Sequence, residues 1–357
     1  MQVSGFTETP VIVIVYRRPE LTRGLLEVLS ARKPQRLLIV ADGPRPGEAR
    51  VCAEVRRVLE TIDWPCQVEQ TVARHNLGCR LRVQSGLDWA FERVDRAIIL
   101  EDDIHPHPAF FEWAGLHLHT AAGRADVAML CGHNPLIRWP THWSAISSRR
   151  GGVWGWATWA DRWQAQRSQP QPAEPAGRPE QAFAGLEPAL AAMYRVYLEA
   201  FQRQPELSWD VEWTLRMALS RRVALVSPVN LIHHLGHGPD ATHTTDGDPM
   251  LFTLPRPADA LNPVPGIPPE GHDDAVFDRA RVLLELLVRT RDPAMARRLA
   301  RRPNLPLSAP ARLHLLPFRD ARETRQWLTH LHREGADPAA CARWSQALGD
   351  PLVVVEE

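Results

Sequence analysis

Lysine is nearly missing from this chain: Lys33 is the only one, and arginine fills every other basic position. That bias, with the 32 prolines, fits the codon usage of a GC-rich genome. It also supplies planar, bidentate phosphate donors wherever an arginine faces a cleft. Net charge is missing too. Basic and acidic residues balance at 42 each, so no field draws a polyanion, and nucleic acid is not expected as a partner. No apolar run approaches a membrane span, and the amino end is too polar for a signal peptide. The five cysteines (52, 66, 79, 131 and 341) form no CxxC pair, so reduced, buried thiols and a cytoplasmic location are expected. Two glycine signatures are lacking as well. Without GxGxxG after the first strand or GxxxxGK[ST], a nicotinamide cofactor and a P-loop NTPase are both disfavoured.

What is present is an ordinary folded composition, 44% hydrophobic over 357 residues, long enough for a large core and two or three substructures. "VIVIVY" (11–16) is a β-branched run of the kind buried on both faces of a sheet. Pro19 then opens a helix with Leu21, Leu25, Val28 and Leu29 on one face. Further strands are predicted at 36–42, 66–73, 97–103, 126–132 and 223–229. Helices are predicted near 48–60, over 81–94 with Leu81, Leu87, Ala90 and Phe91 as the stripe, and near 181–203 and 210–220. Strands alternating with helices give an α/β fold, a mostly parallel sheet flanked by helices. Segment 166–180, "QRSQPQPAEPAGRPE", has the make-up of a mobile loop that either covers a pocket or is an idle insertion. Beyond residue 270 a small helical C-terminal appendix is expected, "AVFDRARVLLELLVRT" being its clearest segment.

Ligands of such sheets sit outside the carboxyl ends of the strands. Here those ends carry Tyr16-Arg17-Arg18, Asp42-Gly43, Arg74-His75-Asn76 and Glu101-Asp102-Asp103. Three adjacent carboxylates cannot close a dry strand, because desolvating each costs several kcal/mol, of order 5. Such a rim suits a hard divalent ion, Mn2+ or Mg2+, completing its shell with phosphate oxygens. A diphosphate also suits Arg17, Arg74, Arg80 and Arg82. The candidate ligand is therefore a metal-bound nucleotide diphosphate held without a glycine loop.

The ordered set Asp42-Gly43, Asn76-Leu77-Gly78, the strand ending in Glu101-Asp102-Asp103, "GGVWGWATWADRW", "WDVEW" and "GPDATHT" resembles the GT-A glycosyltransferases. It is most similar to family 2 and to the N-acetylglucosaminyltransferase I type, whose DxD-like motif is written EDD. The resemblance covers roughly residues 10–245. It implies a GT-A domain over 1–270, with a nucleotide-sugar half at 1–131 and an acceptor half at 132–270, followed by the appendix at 271–357. It also implies a UDP-, GDP- or dTDP-linked sugar donor and a glycan, lipid-linked, protein or small-molecule acceptor. By the same resemblance Tyr16, Arg17 and Asp42 would bind the donor's base and ribose. Arg74 and Asn76 belong to the segment that turns around the donor, with Arg82 contacting phosphate or base. Asp103 would ligate the metal, Asp102 would hold ribose or donor sugar, and Glu101 would orient both. A histidine returning from the far end of the domain to the metal or diphosphate would be His243, a second metal ligand. Inversion needs a carboxylate to take the acceptor's proton, and Asp210 and Glu212 are the candidates, with Asp210 favoured.

Trp154 and Trp156, flanked by glycines, are expected to line the sugar pocket, while Trp159 and Trp163 pack inside. Three rivals remain open: a metallohydrolase using the EDD acids with His105 and His107, a sugar nucleotidyltransferase, and a carbohydrate-binding module without catalysis. The nucleotidyltransferase is disfavoured because "VYRRPELTR" lacks a GxGxR-type loop.

Overall fold

The computed structural model describes residues 8–168, 172, 182–203, 209–236, 254, 256, 258, 261 and 266–290. The first half alternates as expected: β1 (Val11–Val15), α1 (Pro19–Arg32), β2 (Arg36–Ala41), α2 (Ala49–Leu59), β3 (Gln67–Val72), α3 (Gly78–Phe91) and β4 (Arg96–Glu101). A short strand β5 (Ile104–Pro106) leads into α4 (Pro108–Thr120) and β6 (Val127–Cys131). Then come β7 (Ile146–Ser148), β8 (Trp156–Trp159), α5 (Ala160–Arg167), α6 (Pro188–Arg203), α7 (Trp209–Leu219), β9 (Val223–Val226), β10 (Ile232–His234) and α8 (Ala275–Thr290).

Eight strands form one sheet in the order β3-β2-β1-β4-β8-β6-β9-β7, and β5 pairs with β10 in a separate ribbon. The sheet is mostly parallel: β8 runs against β4 and β6, and β7 runs against β9. β1 is central and buried at every residue, which is why its sequence carries no polar position. Strand alternation sends Ile12 and Ile14 to one face with α3, and Val11, Val13 and Val15 to the other with α1, α2 and α4.

Strands β7 and β8 were not expected. β8 wedges between β4 and β6, so the glycine-flanked tryptophan stretch is a sheet strand. The stripe of α3 is also corrected: Leu81 is 59% exposed, whereas Val83, Leu87, Ala90 and Phe91 are buried. One turn further along the helix, those residues face the sheet. Trp159 and Trp163 pack inside as their spacing predicts, and the Trp163 ring stacks on Trp213 at 5.2 Å. Most of the 166–180 segment lies outside the described residues.

Helix α8, just past the expected boundary at 270, packs against the rest of the fold. Phe277 is fully buried against Trp139, with ring centroids 5.2 Å apart. The buried carboxylate of Asp278 accepts from Ser148 Oγ and from Arg149 N at 2.8 Å. Arg281 donates to the carbonyls of Arg150 at 3.1 Å and Gly151 at 3.2 Å.

Candidate active site

β4 carries its apolar run to the carboxyl edge of the sheet and releases the chain into the acids. Asp102 N still donates to Ile14 O at 3.0 Å, and Tyr16 N approaches Asp102 Oδ2 at 3.4 Å, so the end of β1 fixes the turn. Asp102 and Asp103 are each 6% exposed, and Glu101 is half-buried. Burial, reinforced by the charge of Asp103, pushes the Glu101 and Asp102 carboxyls above the usual carboxylate range. The positive partner that three acids require is Arg18. Its guanidinium reaches Asp102 Oδ1 at 3.4 Å and makes a closer ion pair with Asp103 Oδ2.

A second group arrives from the far end of the chain. β10 pairs antiparallel with β5, placing Leu235 N on Asp103 O at 2.7 Å and His234 Nε2 at 3.8 Å from Asp103 Oδ2. Gly236 is pressed so closely that a Cβ there would lie 1.9 Å from Asp103 Oδ2. Among the described residues the histidine that returns to the acids is His234, and His243 lies outside them. The signal was present: "LIHH" is an apolar run ending in polar groups, as "AIILEDD" is. Trp154 is half-buried beside this cluster, with His234 at 4.4 Å and His133 at 4.9 Å between ring centroids. Trp156 does not join it. Gly155, at φ +62°, turns the chain into β8, and Trp156 is fully buried against Trp209 and Trp213.

On the other side of the rim, the carboxylate of Asp42 is enclosed by its own loops. Oδ1 accepts from Gly43 N at 2.8 Å and Leu77 N at 2.9 Å, and Oδ2 from Asn76 Nδ2 at 2.9 Å and Gly78 N at 3.1 Å. Asp42 thus holds the Asn-Leu-Gly turn in place, and Asn76 in turn accepts from Arg45 Nε at 3.2 Å. Glu48 gathers Tyr16 Oη, Arg17 Nη1 at 2.5 Å and Arg45 N at 3.2 Å. These bonds, the one from Tyr16 first, hold the Glu48 carboxyl below its ordinary range, while burial and Glu48 push the Tyr16 phenol up to about 12. Arg74 stands exposed beyond β3. Arg82 is a correction to the expected phosphate contact. It is 5% exposed and donates to Ala41 O at 3.0 Å and Thr71 O at 2.5 Å, tying together the ends of β2 and β3.

No protein-family model and no curated protein matches the sequence. Among solved structures, the fold is similar to the mannosyltransferase PcManGT of Pyrobaculum calidifontis, in complex with GDP-Man and Mn2+. That similarity has 14% identity and a TM-score of 0.40, over 95% of this chain and 79% of that one. A UDP-glucose pyrophosphorylase complexed with UDP-glucose is similar at 8% identity and a TM-score of 0.33, over 63% of this chain and 92% of that one. Likenesses this distant speak to neither activity nor substrate.

Asp210 and Glu212 part company in the structure. Asp210, in the first turn of α7, is half-buried, and its charge is among those that raise the Glu101 carboxyl and the Cys79 thiol. Glu212 is 1% exposed and receives Arg80 Nη2, Gln84 Nε2 and Arg216 Nη2, each at 2.8 Å. Burial opposes its charge, but the bonds from Arg80 and Arg216 prevail and hold its pKa low. A carboxylate with its lone pairs so occupied is a poor proton acceptor, so Glu212 is corrected to a buried strut between α3 and α7.

A hard cation fits the acid cluster on one observation. Asp103 Oδ1 is buried and has no hydrogen-bond partner among the described residues, while Oδ2 already meets Arg18 and His234. Carboxylate oxygens with one imidazole suit Mn2+ or Mg2+. Among the described residues no three His, Cys, Asp or Glu side chains converge as a ready-made metal cage. His107 instead caps α4, its Nδ1 accepting from Ala109 N at 3.2 Å, and His105 packs on α1 against Gly24.

Proposed function

We propose that the chain transfers a sugar from a nucleotide-sugar donor to a hydroxyl acceptor, with inversion, at the carboxyl rim of its sheet. The observation that carries this is the meeting of Asp102 and Asp103, Arg18 and His234 at one strand end. Asp103 and His234 would hold the cation. A divalent ion bound there supplies Lewis-acid neutralisation of the departing diphosphate. Arg17 and Arg45, fixed by Glu48 and Asn76, would receive the nucleotide, and Arg74 stands at the same edge. Asp102 would orient the ribose or the donor sugar. Trp154 offers an aromatic face beside His234 for the acceptor. Asp210 would accept the acceptor hydroxyl's proton.

Incubation with UDP-, GDP- and dTDP-sugars, with and without Mn2+, tests this by following nucleoside diphosphate release. Release from one donor only with Mn2+, lost in Asp103→Asn, is the expected result. Pyrophosphate formation from a nucleoside triphosphate and a sugar phosphate would replace it with nucleotidyl transfer. No nucleotide turnover and no nucleotide binding would remove it.

A further inference from the structure

Arg18 lies in a place its neighbours do not explain by folding alone. The side chain leaves the end of β1, is 18% exposed, and bridges both Asp102 and Asp103. Only one oxygen of Asp103 is thereby satisfied, and Oδ1 stays buried without a partner among the described residues. The charges of Asp102, Asp103 and Asp210 all oppose ionisation of Glu101, and that of Arg18 favours it. A single positive charge leaves that group short of neutrality. An ion held between Asp103 Oδ2 and His234 Nε2 would lie against this guanidinium, and two cations at one carboxylate oxygen repel each other.

We infer that Arg18 is an internal counter-ion that occupies the cation position and is exchanged for a divalent ion when the metal and the donor diphosphate arrive together. This rests on the proposed donor site. The exchange balances charge. The ion takes over the carboxylates, and the displaced guanidinium, anchored three residues beyond β1, stays at the rim where diphosphate oxygens accept its fork of N–H donors. Arg18 is therefore a positioning residue with two stations. The consequence is an ordered preference: metal alone binds weakly because it must displace Arg18, and metal with nucleotide binds well because Arg18 gains a new anionic partner. When a site is competent only a fraction of the time, its apparent Kd rises by the inverse of that fraction. An Arg18 that is docked nine-tenths of the time thus weakens Mn2+ alone by roughly tenfold.

The test is titration of free Mn2+ by electron paramagnetic resonance on the wild type and on Arg18→Gln, each alone and with UDP, GDP and dTDP in turn. Arg18→Gln should bind Mn2+ alone about tenfold tighter and lose the enhancement by nucleotide. A folded Arg18→Gln that binds Mn2+ alone as the wild type does, or more weakly, overturns the exchange while leaving the cation site standing. No Mn2+ binding by either protein with any nucleotide overturns the donor site and the exchange together. Should Arg18→Gln fail to fold, the wild type decides. The Arg18 Nε–H resonance, assigned through Arg18→Lys, should shift on adding Mg2+ with the nucleotide. A resonance that stays fixed while Mg2+ binds overturns the exchange.

Discussion

Two acids two positions apart on α7 have opposite fates, and the difference is measurable. Asp210 is half-buried in the first turn of α7 and its charge helps raise the Glu101 carboxyl, whereas Glu212 is buried under Arg80, Gln84 and Arg216. Asp210→Asn should lower turnover by about 10²- to 10⁴-fold, the usual worth of a general base, with an unchanged urea midpoint. Glu212→Gln leaves the buried Arg216 and the half-buried Arg80 without their carboxylate and should cost about 3–5 kcal/mol in urea unfolding. If Glu212→Gln were stable but inactive, the roles assigned to the two acids would be reversed. The acids of β4 were legible in the sequence because an apolar strand can release three carboxylates only at an open edge. Their partners were less legible. Tyr16, Arg17 and Arg18 follow one strand, and successive side chains leave opposite sides of it. Whether Arg17 or Arg18 meets Asp103 depends on the register of β1 against β4, which composition does not encode. The same holds for His234, set by the pairing of β10 with β5.

At the scale of elements, α8 is tied to the loop that leads to Trp154 by a buried acid. Burial raises the Asp278 carboxyl from 3.8 to about 7, against the hydrogen bonds from Ser148 and Arg149. Between those two pH values the unfolded chain releases this proton while the folded chain keeps it. The folded state then binds more protons, so stability falls as pH rises through the window and levels off above about 7. Glu101 and Asp102, also raised, act in the same direction. Asp278→Asn should remove its own share of that fall, flattening the urea midpoint against pH. A variant with the wild-type slope would mean that Asp278 is not the group responsible. The early strands and helices were readable because each is long enough to show its period. β8 was not. Four residues, three of them Trp, Ala and Trp, beside glycines give no alternation to count, and its partners come from distant parts of the chain.

For the whole molecule, the site is assembled from sequence-distant pieces: β1, β4, β10 and α7 each contribute one part. Donor binding should therefore protect amides across that set together. Hydrogen exchange with Mn2+ and the cognate nucleotide should slow residues 16–18, 101–106 and 232–236 in concert, and leave β3, at the far edge of the sheet, at its unliganded rate. Protection confined to 42–48 and 74–78 would place the nucleotide there without engagement of the acids. The α/β architecture itself was legible from alternation alone. The antiparallel insertion was not, since nothing local marks a strand that joins a sheet from the middle.

That insertion bears on how the chain is made. Among the described residues, β8 is the strand that joins β3-β2-β1-β4 to β6-β9-β7. As synthesis proceeds from the amino end, the first four strands can pair once residue 101 has emerged, but the outer side of β4, apolar through Ala97, Ile98, Ile99 and Leu100, stays an open edge until Trp156–Trp159 follows. Through that interval the nascent protein displays an unpaired apolar strand of the kind that recruits other chains. The same tryptophan strand that closes the sheet thereby sets the period in which the growing chain depends on dilution or on a chaperone.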